Sequence, residues 1–121
     1  MVRAHYDLIA WQQAIVLVKS IYALSAAFPH SEMYGLTSQM RRAAVSVPAN
    51  IAEGVGRSGA RDRVQFFVIA RGSLTELDTL IVLAKELGFA TNVSEIEGTV
   101  DRLFALIGGL VNAERAKSAP V

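Results

Sequence analysis

Cysteine is absent from the chain, which excludes disulfides, thiolate nucleophiles and cysteine-ligated metals. That suits a reducing cytoplasm, the expected location. His5 and His30 are the only histidines, and neither has a carboxylate or second histidine at helical ligand spacing. The Glu-x-x-His pairs of di-iron bundles are missing as well, so no metal and no other cofactor is expected. Ser46 and Ser73 have no histidine base at a predictable distance. Nothing here reads as an enzyme. Long apolar runs are lacking too: the nearest are broken by Lys19 and Arg71, short of the roughly 20 residues a membrane helix needs. Asp7, Gln12 and Gln13 interrupt any signal-peptide core, so the chain reads as mature, soluble protein with no membrane partner.

What the chain has in excess is apolar surface. Of 121 residues, 52% are hydrophobic and the mean hydropathy is +0.35, more than a small monomer easily covers. A homo-oligomer follows. The length fits one domain, taken as residues 1–115, with residues 116–121 a disordered tail. A net charge of +1 conceals polarity along the sequence. From Arg41 to Arg71 six arginines meet only Glu53 and Asp62, a balance of +4. From Gly72 onward four bases meet seven acids, a balance of −3.

Four helical segments account for nearly everything. In the first, Leu8, Trp11, Ile15, Val18, Tyr22 and Ser25 form one seam, with Ala14, Leu17, Ile21, Leu24 and Phe28 a second beside it. Asp7 is placed as its N-cap, and Pro29 closes it. The second segment runs from about Glu32 to Glu53, ends at Gly54 as a left-handed cap, and contains Pro48, which predicts a kink near Ala44 to Pro48. The third extends from about Asp62 to Leu87, with Phe67, Ala70, Leu74, Leu77, Ile81 and Ala84 in one seam and Phe66, Ile69, Ser73, Leu80, Leu83 and Leu87 in another. Asn92 or Ser94 opens the fourth, with Ser94 to Glu97 matching a capping box, and it buries Ile96, Val100, Leu103, Ile107 and Leu110. Gly108 and Gly109 predict close backbone packing or early fraying there. Short connections make sequential helices antiparallel neighbours, so an all-α, up-down-up-down four-helix bundle is expected. The surplus seams then face other subunits, with Leu17, Ile21 and Leu24 placed in the interface.

One stripe of the second helix is polar: Gln39, Arg42, Ser46, Asn50 and Glu53 recur at steps of three or four. A structural network of Gln39, Arg42, Asn50, Glu53, Ser73 and Glu76 is expected, with Arg42 pairing Glu53 or Glu76. Gly54-Val55-Gly56-Arg57-Ser58-Gly59 matches the dinucleotide spacing G-x-G-x-x-G, but it leaves a helix instead of a strand and reads as a connection. Of the aromatics Trp11, Tyr22, Tyr34, Phe66 and Phe67, all but Tyr34 lie on helical seams, which favours core packing over base stacking.

Asp7-Leu8-Ile9-Ala10-Trp11-Gln12-Gln13-Ala14, Phe28-Pro29, Tyr34-Gly35-Leu36 and Gln39-Met40-Arg41-Arg42-Ala43-Ala44 continue into Ser46-Val47-Pro48-Ala49-Asn50-Ile51-Ala52-Glu53-Gly54 and Ile69-Ala70-Arg71-Gly72-Ser73-Leu74-Thr75-Glu76-Leu77. Over nearly its whole length the chain resembles the four-helix bundle proteins encoded in intervening sequences of bacterial 23S rRNA genes. Gln13 departs from the lysine common there after Trp-Gln, and residues 57–63 fall in a variable connection. The resemblance implies a ring-like homopentamer without established enzymatic activity. A related bundle, the accessory protein of diversity-generating retroelements, binds a reverse transcriptase and nucleic acid, and by analogy a reverse transcriptase is a candidate protein partner here. The primary expectation is thus a scaffold or adaptor that binds RNA or DNA through a basic end carrying Arg57, Arg61 and Arg63. The alternative is a protein-partner scaffold with no nucleic-acid role, its polar stripe purely structural.

Overall fold

The computed structural model describes residues 3–118, and among them there are helices and no strands. Four α-helices follow one another: α1 (Ile9–Ser25), α2 (Leu36–Val55), α3 (Ala60–Glu86) and α4 (Ser94–Ser118), with 3-10 turns at Ala4–Asp7 and His30–Glu32. α1 packs on α2 and α4, and α3 packs on the same two, while the backbones of α1 and α3 do not approach each other. The helices therefore surround the core in sequence order. No described helix is long and apolar enough to cross a membrane.

Helical periodicity selects the core. α2 buries Leu36, Met40, Ala44, Val47 and Ile51, and α3 buries Phe67, Ala70, Leu74, Leu77, Ile81 and Ala84. From α4 come Val100, Leu103, Ile107 and Val111, while Ile96 and Leu110 are only partly covered. Each large side chain so enclosed stabilises the fold by about 1.5–3 kcal/mol relative to exposure.

α1 turns differently from expectation. Ala10, Ala14, Leu17, Ile21 and Ser25 face inward, and Leu17 and Ile21 are 0% exposed within a single chain. They belong to the core and offer no surface to another subunit; Leu24, partly buried, packs against the same core. Residues of the other seam, Ile15 and Tyr22, are left outside.

Local chemistry at the helix ends also revises several expectations. Asp7 ends a 3-10 turn and Leu8 occupies the N-cap of α1 without a side-chain cap. α2 starts at Leu36, not Glu32, because Glu32 stays in a 3-10 turn and accepts a hydrogen bond at Oε1 from the Leu36 N–H, 3.2 Å away. Pro48 is buried inside an α2 that continues to Val55. Ser94 is the first residue of α4, and its hydroxyl bonds the Asn92 side chain at 3.3 Å. α4 then runs through Gly108 and Gly109 to Ser118, and a Cβ on either glycine would meet nothing within 4 Å. Neither close packing nor fraying applies. Residues 116–118 of the expected tail are thus helical, and 119–121 lie outside the described residues.

Gly54 is no left-handed cap. It sits inside α2, and a Cβ there would stand 2.7 Å from Cε1 of Phe67, so its missing side chain lets α2 and α3 approach. The left-handed position is Gly88, at φ 78°, where α3 ends in a Schellman motif: Gly88 N–H donates to Lys85 O at 3.0 Å and Phe89 N–H to Ala84 O at 2.8 Å.

Gly54→Ala is expected to destabilise the protein by about 1–3 kcal/mol, since the buried Phe67 ring must move. Gly109→Ala, on open helix surface, is expected to stabilise it by about 1 kcal/mol. Urea denaturation of both variants checks the pair, and equal effects would refute the close approach at Gly54.

Candidate functional site

Two surfaces carry the chain's unspent polar chemistry: the turn between α2 and α3, and the outward face of α2. At the turn, Arg57 and Arg63 are brought together but both are engaged. Arg57 Nη2 pairs with Glu53 Oε1 at 3.0 Å, one helical turn back, and its guanidinium lies 4.6 Å from the Phe66 ring centroid. Arg63 Nη1 donates to the Arg57 carbonyl at 3.0 Å, and Nη2 reaches across to Glu114 Oε2 of α4 at 2.8 Å. With side chains only 20% and 12% exposed, Arg63 and Glu114 form a largely covered clamp between α3 and α4, extended by Lys117 on Glu114 Oε1 at 3.1 Å. Arg61, by contrast, is exposed and makes no hydrogen bond or ion pair among the described residues. Of the three expected nucleic-acid-binding arginines, Arg63 is held in structure, Arg57 is shared with Glu53, and Arg61 alone is free.

The polar stripe of α2 forms a smaller network than anticipated. Ser46 and Ser73 hydroxyls meet at 2.7 Å across α2 and α3, and Asn50 Nδ2 donates to Ser46 O at 2.8 Å and Ser46 Oγ at 2.9 Å. Glu53 turns to Arg57 and leaves Arg42 without an ion pair or hydrogen bond among the described residues. The expected pairing of Arg42 with Glu53 or Glu76 does not form. Gln39, Arg42, Ser46, Ser73 and Glu76 instead line a polar groove of about 350 Å³ between α2 and α3.

Beyond α2 lies a second, larger groove of about 630 Å³, bounded by Tyr22, Met33, Tyr34, Thr37, Ser38, Arg41, Arg42, Val45 and Ser46. Its floor is built by Arg41, missed in the sequence reading. Arg41 Nε donates to Ser25 Oγ at 2.8 Å, and Ser25 in turn donates to Ile21 O at 2.7 Å, satisfying a buried hydroxyl inside α1. The Arg41 guanidinium also lies 4.5 Å from the Tyr22 ring centroid. Adjacent arginines on a helix point about 100° apart, so Arg41 turns toward α1 while Arg42 stays outside; that difference was the available signal. Tyr34 stands 94% exposed at the rim. Among the described residues no group of three His, Cys, Asp or Glu is arranged to hold a metal. Every buried side-chain polar atom among the described residues is satisfied.

The family model described as 23S rRNA-intervening sequence protein matches residues 6–109, spanning α1 to α3 and most of α4. A comparison with curated proteins finds no match.

The clamp makes stability depend on acidity. The Glu114 carboxyl is held below the usual range, first by the hydrogen bond from Arg63, with burial opposing and Lys117 reinforcing the effect; the same bond raises Arg63. A carboxyl depressed in the folded state contributes its stabilisation fully above the unfolded pKa, about 4.3, and loses it as pH falls through the folded value. Glu114→Gln is therefore expected to be less stable than wild type at pH 7 and to show a shallower loss on acidification below about pH 4.3. Denaturation curves across that window check this, and parallel pH profiles would contradict it.

Proposed function

The chain belongs to the 23S rRNA-intervening sequence protein family, and from that membership and the surfaces just described we propose that it is a non-enzymatic, self-assembling scaffold. In this reading an antiparallel up-down-up-down bundle closes with its copies into a ring-like homopentamer. One observation carries it: α1 and α3, whose backbones do not approach each other, both leave large apolar side chains in solvent. α1 exposes Ile9, Ile15, Val16 and Tyr22, and α3 exposes Ile69, Val82 and Leu83, with Leu87 exposed at its C-cap. Exposed apolar surface gathered on two helices is the signature of an association face. Two unlike faces on different sides of one bundle associate face to unlike face, and such contacts build a ring when the rotation closes.

The antiparallel course is supported by pairings whose numbers fall on one helix as they rise on the next. Ser46 meets Ser73 while Gly54 meets Phe67, and Arg63 meets Glu114 while Lys85 meets Glu97. The short connections from α2 to α3, residues 56–59, and from α3 to α4, residues 87–93, agree with it.

Nucleic-acid binding is the function placed on this scaffold, through Arg61 and the half-exposed Arg57, repeated around the ring. Few free guanidiniums per copy make such binding weak, salt-dependent and indifferent to sequence. The internal use of Arg63 favours the second reading, in which the scaffold serves a protein partner and touches no nucleic acid.

Sedimentation at micromolar concentration tests the assembly: a species of about five chains is expected, and a stable single-chain species would sink the scaffold reading. Salt-titrated binding of structured RNA and duplex DNA tests the second layer. Arg61→Glu is expected to weaken binding at least several-fold with the helical content intact, whereas equal affinity would discard the basic turn and leave the protein-partner reading.

A further inference from the structure

We propose that the larger groove, between the end of α1 and the start of α2, docks α3 of a second copy of this chain, with Arg42 of one copy paired to Glu76 of the next. The proposal rests on the homo-oligomer reading and specifies which surfaces meet.

The groove has apolar walls and a cationic floor. Tyr22, Met33, Tyr34 and Val45 are all exposed along it, and no carboxylate lines it. Of its two arginines, Arg41 is held by Ser25 and Tyr22, both neutral, while Arg42 makes no hydrogen bond or ion pair among the described residues and is free to reach a carboxylate. A complementary surface exists on the same chain. Ile69, Glu76 and Leu83 recur at seven-residue steps along α3 and Leu87 follows four later, which aligns them in one outward row. All four are exposed, and Glu76 makes no hydrogen bond or ion pair among the described residues. Neither do Asp78 and Glu86 on the same helix.

An apolar row holding one carboxylate thus matches an apolar groove holding one free guanidinium. Within a single chain the two cannot meet, because α2 stands between its own α3 and the groove, which borders α1. Arg42 and Glu76 do line the smaller groove together, yet no ion pair within 4.0 Å joins them. A second copy supplies the missing partner. Nucleic acid fits less well, since this groove is lined by only two guanidiniums, one of them tied to Ser25, against the several phosphates that binding must neutralise.

The test uses the full chain in sedimentation runs at low salt, with helical content recorded for each variant. Arg42→Glu and Glu76→Arg are each expected to weaken association at least tenfold, which corresponds to about 1.4 kcal/mol per junction. Mixing the two single variants is expected to give species larger than either forms alone, because the carboxylate introduced by the first then faces the guanidinium introduced by the second across the junction. Native mass for Arg42→Glu would overturn the docking while leaving the homo-oligomer standing, as would a mixture no larger than its components. Native mass with lost RNA binding would reassign the groove to nucleic acid. A wild type that sediments as single chains would remove both readings together.

Discussion

A four-helix interior admits one seam from each helix, and that geometric limit governs the rest of this protein. On α3 the inward seam is Phe67, Ala70, Leu74, Leu77, Ile81 and Ala84, so Ile69, Leu83 and Leu87 are left outside whatever their hydrophobicity. On α1 the limit chooses Ala10, Ala14, Leu17 and Ile21, two alanines and two branched residues that let the helix lie close to its neighbours. Trp11, Ile15 and Tyr22 are displaced toward the flank. Apolar surface that the core cannot take stays in solvent.

Polar groups are placed with corresponding economy. Ser25 returns its hydroxyl to Ile21 O and accepts from Arg41, and Ser46, Ser73 and Asn50 satisfy one another across the α2–α3 seam. Such bonds contribute modestly each, about 1 kcal/mol, but leaving any of them unmade in the covered interior costs more. The Arg41–Ser25 and Ser46–Ser73 bonds also fix how α1 and α3 are set against α2, since each joins side chains far apart in sequence. Small residues of α2 line the grooves on its two sides, Ser38 the larger one and Ser46 both.

Electrostatics divides the arginine-rich stretch into groups with different work. Arg41 and Arg63 are interior ties, one to α1 and one to α4, and both are drawn in by partners more than a dozen residues away. Arg57 is held locally by Glu53, and Arg42 and Arg61 remain in solvent, unpaired among the described residues. The +4 balance of residues 41–71 is therefore a property of the sequence that does not appear as a single basic patch.

The sequence by itself determined the four helices, their approximate extents and the inward seams of α3 and most of α4, because three-to-four spacing of apolar residues is local information that the 3.6-residue turn converts directly into a face. It also placed the polar stripe on α2 correctly. Only the tertiary structure decided which of two adjacent seams on α1 turned inward, that Leu17 and Ile21 are core, and that Glu53 answers Arg57 while Arg63 answers Glu114. It likewise showed Gly54 to be a close-approach site and Gly88 the left-handed cap. Two neighbouring seams differ by a small rotation about the helix axis, and an arginine reaches several carboxylates. Such choices are settled by the shape and charge of the facing helix, which local spacing does not contain.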